Sequence, residues 1–229
     1  MKVLSVNVSL PKEIQIGGKA LTTGIFKKPV KGRVKLSTLN LEGDSQADPT
    51  CHGGIDKAVY VYSIENYDYW EQELGRDDFT FGQFGENWTV NGMLEDQVNI
   101  GDVFQVGEVL VEVSQPRIPC AKLGKKMEMP GFLKLFLASC RVGFYLRVLE
   151  EGEVGAGDSI ERVKKDPVQL TVQDVCHLLY FETDNLEGAK KALTVQALSL
   201  SWRKSFEARL KDPVIRVEVD EKAAQRDIQ

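Results

Sequence analysis

The sequence predicts a mainly β protein, a barrel or sandwich, followed by a small helical appendix. Three observations predict it. Up to about residue 165 the chain is a series of short apolar runs, several of them alternating with period two. Glycine-bearing turns separate many of these runs, at Gly101-Asp102, Val106-Gly107-Glu108 and Gly155-Ala156-Gly157-Asp158. After Asp166-Pro167 the apolar spacing becomes that of amphipathic helices. Many short strands with such connections favour a closed or layered sheet.

The elements follow in order. Residues 2–9 and 34–41 alternate as strands, and 58–62 is short, β-branched and aromatic. Residues 98–106, 109–113, 143–149 and 159–163 complete the strands. A helix is expected over 64–74 with Ser63 as its cap, because Ile64, Tyr67, Trp70 or Glu71, and Leu74 approximate one face. A second is expected over 132–137 behind Pro130-Gly131, with its aromatic residues in the core. In the appendix, Thr171-Val172-Gln173-Asp174 resembles a capping box with Asp in the reciprocal position. Residues 186–193 form a short helix, and Val195, Leu198, Trp202, Phe206 and Leu210 make an apolar stripe. Three short helices bury little by themselves, so they must pack together and onto the barrel or a partner. The expected division is a barrel over 1–165, helices over 166–212 and a charged, frayed tail over 213–229.

Composition narrows the class. At 42% hydrophobic, 229 residues can bury a substantial core. A net charge of −5 and a pI near 5.3 argue against a general nucleic-acid or membrane-surface binder, so any anion site must be local. The N-terminus alternates like a strand and lacks a signal-peptide core, and no run reaches the roughly 18 apolar residues of a membrane span. Cys51, Cys120, Cys140 and Cys176 are widely spaced with no Cys-x-x-Cys pair, which suits a reduced cytoplasmic protein.

Three segments carry chemistry. In Gln115-Pro116-Arg117-Ile118-Pro119-Cys120, two prolines stiffen the exit from a strand and present a thiol three residues beyond a guanidinium. A thiolate beside fixed positive charge is a nucleophile and a soft-metal ligand; a buried small hydrophobe is the alternative. In Cys51-His52-Gly53-Gly54-Ile55-Asp56-Lys57, paired glycines let backbone N–H groups approach an anion while Lys57 supplies charge, although a hairpin turn would use the same residues. Gly85-Glu86-Asn87 presents a carboxylate and an amide at the start of a strand, or else is an ordinary loop. No G-x-S-x-G elbow, phosphate loop or dinucleotide fingerprint occurs, and Gly17-Gly18-Lys19 lacks the spacing and hydroxyl of a phosphate loop. A Cys120–His52 nucleophile–base dyad is possible on residue type.

Taken together, the three blocks resemble the MOSC family, named for the C-terminal domain of molybdenum cofactor sulfurase. The resemblance covers about residues 1–165, and the helices look like the three-helix extension of the bacterial subgroup linked to 6-N-hydroxylaminopurine resistance. It implies a MOSC-type β-barrel with peripheral helices, carrying a molybdenum cofactor (molybdopterin) in a pocket at one end. It also implies reduction of N-hydroxylated bases and related compounds to amines, with electrons from a separate flavoprotein reductase. Carried over by position, Cys120 is the molybdenum ligand, while Gly53, Gly54, Lys57, Asn87 and Arg117 line the pocket. His52 and Glu86 are the candidate proton donors on type and location. Two other readings compete: a sulfur-transfer protein with a persulfide on Cys120, and a non-enzymatic cofactor carrier. The exposed part of the Trp202–Phe206 stripe is a candidate homodimer face, and Cys51, Cys140 and Cys176 are expected to be dispensable.

Overall fold

The computed structural model describes residues 1–45 and 53–211. Cys51, His52 and the charged tail from residue 213 lie outside the described residues. The chain begins with β1 (Lys2–Val8), β2 (Lys12–Ile16), β3 (Lys19–Thr23), β4 (Lys28–Pro29) and β5 (Arg33–Leu36). A 3₁₀ turn (Ile55–Lys57), β6 (Val59–Ser63), α1 (Ile64–Leu74), β7 (Trp88–Asn91), β8 (Val103–Val106) and β9 (Val109–Pro116) follow. Then come α2 (Ala121–Met127), α3 (Phe132–Ala138), β10 (Phe144–Glu150), β11 (Gly152–Gly155) and β12 (Ile160–Lys164). The appendix is α4 (Val172–Tyr180), α5 (Leu186–Thr194) and α6 (Leu200–Lys211).

The main sheet runs β12-β8-β9-β10-β6-β7-β1-β4, and the start of β1 closes onto the start of β12. Lys2 bridges Ser159, the Val3 N–H donates to the Asp158 carbonyl at 2.9 Å, and the Ile160 N–H donates to the Met1 carbonyl at 2.9 Å. The predicted mainly β architecture is therefore a closed barrel, which leaves its strands few exposed edges. β6 and β7 are its parallel pair, with Val61 opposite Trp88, and α1 makes the crossover that a parallel pair requires.

Strand alternation divides the core in two. Val59 and Val61 of β6 point into the barrel with Phe144 and Leu146 of β10. Tyr60 and Tyr62 point outward into a second cluster with Trp70 of α1, Leu123 of α2 and Phe136 of α3. Helices cover that outer face, which is why every β6 residue is buried and its sequence shows no polar side.

The appendix joins the same core. Val172, Val175 and Leu179 of α4, Ala189 and Ala192 of α5, and Trp202 and Phe206 of α6 belong to the barrel's cluster. The core of the apolar stripe packs within the chain, Trp202 being 4% and Phe206 0% exposed. The capping box forms as expected: Asp174 N–H donates to Thr171 Oγ1 at 2.9 Å, and Thr171 N–H donates to Asp174 Oδ2 at 3.0 Å.

Several local expectations needed correction. The strand expected over 34–41 stops at Leu36, because Ser37 and Asn40 close a turn and Leu36 bridges Leu41. Only 103–106 of the expected 98–106 strand is extended. Asp102 instead folds back to accept from the Asn99 N–H at 3.0 Å, a local bond that competes with pairing. The β2–β3 hairpin was not predicted; Gly17 and Gly18 form its tight turn, with φ of 56° and 77°. Ser63 precedes α1 as expected, but its hydroxyl bonds the Glu65 carboxylate and caps no backbone N–H. α2, immediately after Cys120, was also unforeseen, as Gly124 in its centre weakens the helical signal.

Candidate active site

β9 delivers the cysteine. It pairs with β10 as far as Pro116 opposite Phe144, and the Arg117 N–H still donates to the Gly143 carbonyl at 3.1 Å. Neither Pro116 nor Pro119 has an N–H, so the chain leaves the sheet there and turns into α2, with Cys120 as the residue preceding the helix. Cys120 is half-buried and lines a cleft with Arg117, Lys57, Lys122, Tyr60 and Tyr145. Thr23, Gly24, Ile25, Lys27, Asp44 and Asn87 form another part of its wall.

Arg117 is the unusual member. It is 5% exposed, and its guanidinium lies 5.2 Å from the Tyr60 ring centre and 5.7 Å from that of Phe136. These aromatic faces stabilise the charge. One guanidinium nitrogen (Nη1) has no hydrogen-bond partner within the protein. A buried donor of this kind is costly unless something outside the fold accepts from it.

The opposite wall is fully bonded. Lys27 Nζ donates to both oxygens of Asp44, at 2.5 and 2.6 Å. Burial pushes the Lys27 ammonium below its ordinary value while Asp44 pulls it back up. Asn87 Nδ2 donates to Asp44 Oδ2 at 2.8 Å, and its Oδ1 accepts from the Tyr60 N–H at 3.0 Å. Asn87 therefore lines the cleft with its amide already engaged, and it joins β6, β1 and the Asp44 segment. Tyr60 and Tyr145 both titrate above the usual phenol range because they are buried, with the Arg117 charge opposing that rise.

The 3₁₀ turn is fixed from below. Asp56 accepts from Arg147 Nε at 2.8 Å and from its Nη2 at 2.5 Å; Arg147 Nη1 donates to Glu112 at 2.8 Å. Arg147 also donates to the Ala197 carbonyl at 3.2 Å, so one β10 side chain ties the turn to β9 and to the appendix. This anchors Lys57 at the cleft. Gly54 enters the turn at φ 92°, a backbone that suits glycine, but Gly53 and Gly54 are not among the cleft's lining residues.

The structure brings Lys57, Asn87, Arg117 and Cys120 together and keeps Glu86 apart. Glu86 is fully buried and bonds Tyr67, Thr89 and the Gly82 and Phe84 N–H groups, holding the 82–86 loop shut. His52 lies outside the described residues. Sequence reasoning missed Lys27, Asp44, Lys122 and Tyr145. Lys122 carried a faint signal, two residues beyond the cysteine; Lys27 and Asp44 carried none, because they arrive from a distant segment.

Barrel and cleft together define a domain in which a thiol and several cations line one cleft. The MOSC domain model matches residues 48–161, and the model of the YiiM-like, 3-alpha helix domain matches residues 170–211. The chain belongs to the MOSC family, a molybdenum-cofactor-binding family, and carries the YiiM-like helical domain after its barrel. It is 44% identical over 216 residues to the YflK protein of Bacillus subtilis (strain 168), covering 94% of this chain and 97% of that one. The crystal structure of YiiM from Geobacillus stearothermophilus superposes with a TM-score of 0.78 at 38% identity, covering 91% of this chain and 98% of that one. A protein of Gibberella moniliformis (strain M3125 / FGSC 7600) named Reductase is 34% identical over 176 residues, 76% of this chain but 31% of its own length. Among the described residues no helix is long and apolar enough to cross a membrane.

Proposed function

We propose that this protein is a molybdenum-cofactor-dependent reductase that converts N-hydroxylated bases and related compounds, such as 6-N-hydroxylaminopurine, to amines. Its electrons come from a separate flavoprotein in this reading. The observation that carries it is the half-buried Cys120 thiol in one cleft with Arg117, whose buried guanidinium leaves Nη1 without an acceptor in the protein. The family supports the cofactor, and the relative named Reductase supports the class of reaction.

The residues present fit an anionic, thiolate-accepting group. Cys120 is the soft donor for the metal. Arg117, Lys57 and Lys122 suit the cofactor's phosphate and its electron-rich sulfurs. Bound there, the cofactor supplies the two-electron chemistry that removes oxygen from an N–OH group. The chain's own contribution is placement. The Lys27–Asp44–Asn87 wall is internally bonded and so holds its shape without ligand. The Tyr60 and Phe136 rings keep water from the inner face of Arg117, strengthening its hold on any anion it meets. Glu86 accepts from Tyr67, Thr89 and two backbone N–H groups, so this reading gives it no direct proton-donor role at the cleft.

Protein purified from a cofactor-competent host should carry molybdenum close to stoichiometrically. With an artificial electron donor it should reduce 6-N-hydroxylaminopurine, and Cys120→Ala should abolish turnover and deplete the metal. Normal turnover by Cys120→Ala would remove the ligand assignment. A persulfide on Cys120 with no molybdenum under any expression condition would replace the reductase by sulfur transfer. Full molybdenum content without turnover would make the protein a carrier.

A further inference from the structure

We infer that Cys140 and Cys176 form a dithiol–disulfide site that locks the helical appendix onto the barrel. Their Sγ atoms stand 2.8 Å apart. That is inside ordinary contact between unbonded sulfurs, though longer than the roughly 2.05 Å of a covalent S–S bond, so the two thiols are free and need only a small approach to join. Cys140 lies in the turn between α3 and β10, and Cys176 lies on α4. Both are buried, at 1% and 0% exposed.

The placement of each residue supports the pairing independently. Cys140 holds φ of 50°, in the left-handed region, where a glycine or asparagine would sit with less strain. The local turn therefore gives no reason for a cysteine, whereas the sulfur opposite does. On α4, Val175, Leu178 and Leu179 face the barrel's core cluster, but Cys176 belongs to the outer aromatic cluster with Cys140, Tyr62 and Phe136. α4 is thus the helix shared by the two cores, and the two sulfurs meet where it crosses between them. The Tyr180 hydroxyl, buried without a hydrogen-bond partner, lies within electrostatic reach of both.

The chemistry balances with a low-molecular-weight disulfide as oxidant. One protein thiolate attacks it, forming a mixed disulfide and releasing one small thiol. The second protein thiolate displaces the other small thiol and closes the Cys140–Cys176 bond. Two S–H bonds are lost and one S–S bond is made, and the oxidant leaves as two thiols carrying both electrons and both protons. Native thiols here resist the first step, since contact with Cys140 and burial hold the Cys176 thiol far above its usual pKa. Oxidation therefore proceeds when α4 opens locally, or before it docks during folding. The bond joins residues 36 positions apart, closing a segment that contains β10, β11 and β12, so α4 can no longer leave the barrel.

The test is peptide mapping of the full chain, both native and refolded, after equilibration in glutathione/glutathione-disulfide buffers, acid quench and denaturing alkylation. The expected result is a Cys140–Cys176 linked peptide in oxidising buffer, with Cys51 and Cys120 free or carrying only glutathione. Oxidation should raise the melting temperature of the wild type by several degrees, roughly 5 °C or more. Cys140→Gly keeps a residue suited to the left-handed turn, so it should fold and should show no such rise. If native and refolded protein both keep Cys140 and Cys176 alkylatable in the most oxidising buffer, or if the bond found joins other cysteines, the site does not exist.

Discussion

Asp102 and Arg117 are both charged side chains buried beside barrel strands, and the fold treats them differently. Asp102, at the seam with the appendix, is 0% exposed and accepts from the Asn99 N–H at 3.0 Å, from the Asn99 amide and from the Asp166 N–H at 2.9 Å. Arg162 Nε stands 3.4 Å from it. Arg117 is nearly as buried but rests on two aromatic faces with one nitrogen unbonded. An unbonded nitrogen is not sufficient to mark a site: Arg209 also leaves Nε and Nη2 unpartnered while its Nη1 bonds the Leu178 carbonyl. The difference is the surroundings, because Arg117 shares its cleft with a thiol and further cations. The satisfied buried charge belongs to the architecture, and the partly unsatisfied one in the cleft is what the proposed ligand site rests on.

Substitutions can break this contrast. Asp102→Ala should destabilise the fold by about 3–5 kcal/mol, since it strands two backbone N–H groups and an amide in the seam. Chemical denaturation measures it, and molybdenum content per folded molecule should not change. A loss under about 1 kcal/mol would mean that water replaces the carboxylate and that the seam is not dry.

On the cleft side, Lys126 reports burial through pH. Its Nζ bonds the Ile25 carbonyl at 2.9 Å and also the Gly82 carbonyl, and burial pushes its pKa down to about 8. The unfolded lysine titrates near 10.5, so between these values the unfolded chain holds the extra proton and folding gains stability as pH rises. Relative to Lys126→Met, the wild type should therefore gain up to about 3 kcal/mol between pH 8 and 10.5. Parallel stability curves for the two proteins would place that ammonium in water.

Arg117→Met sharpens the contrast from the other direction. It removes a buried, partly unpaired charge while keeping apolar bulk, so stability should hold or rise by about 1 kcal/mol. Cofactor retention during gel filtration should nevertheless fall, by roughly tenfold or more for a lost charge-assisted contact. Retention equal to the wild type would make Arg117 a structural cation like Arg209. The smallest effect is expected at Thr171→Ala, about 1 kcal/mol of stability from the lost cap, with no change at the cleft.

The sequence by itself determined whatever depends on near neighbours. The apolar run over 109–113 read as a strand, and its Val109, Val111 and Val113 are all fully buried. Thr171 and Asp174 are three residues apart and cap α4 in the way their side chains dictate. The prolines at 116 and 119 marked the end of a strand, since each withholds an N–H from the ladder. Only the tertiary structure decided what meets across the chain. Barrel closure brings Lys27 and Asp44 to the cleft that Cys120 enters from β9, and nothing in their local surroundings announces it. The same closure turns Glu86 into a loop anchor and brings the sulfurs of Cys140 and Cys176 within 2.8 Å. Capping and alternation are settled over a few residues of backbone, whereas these meetings depend on which strands pair and on how α4 crosses between the two cores.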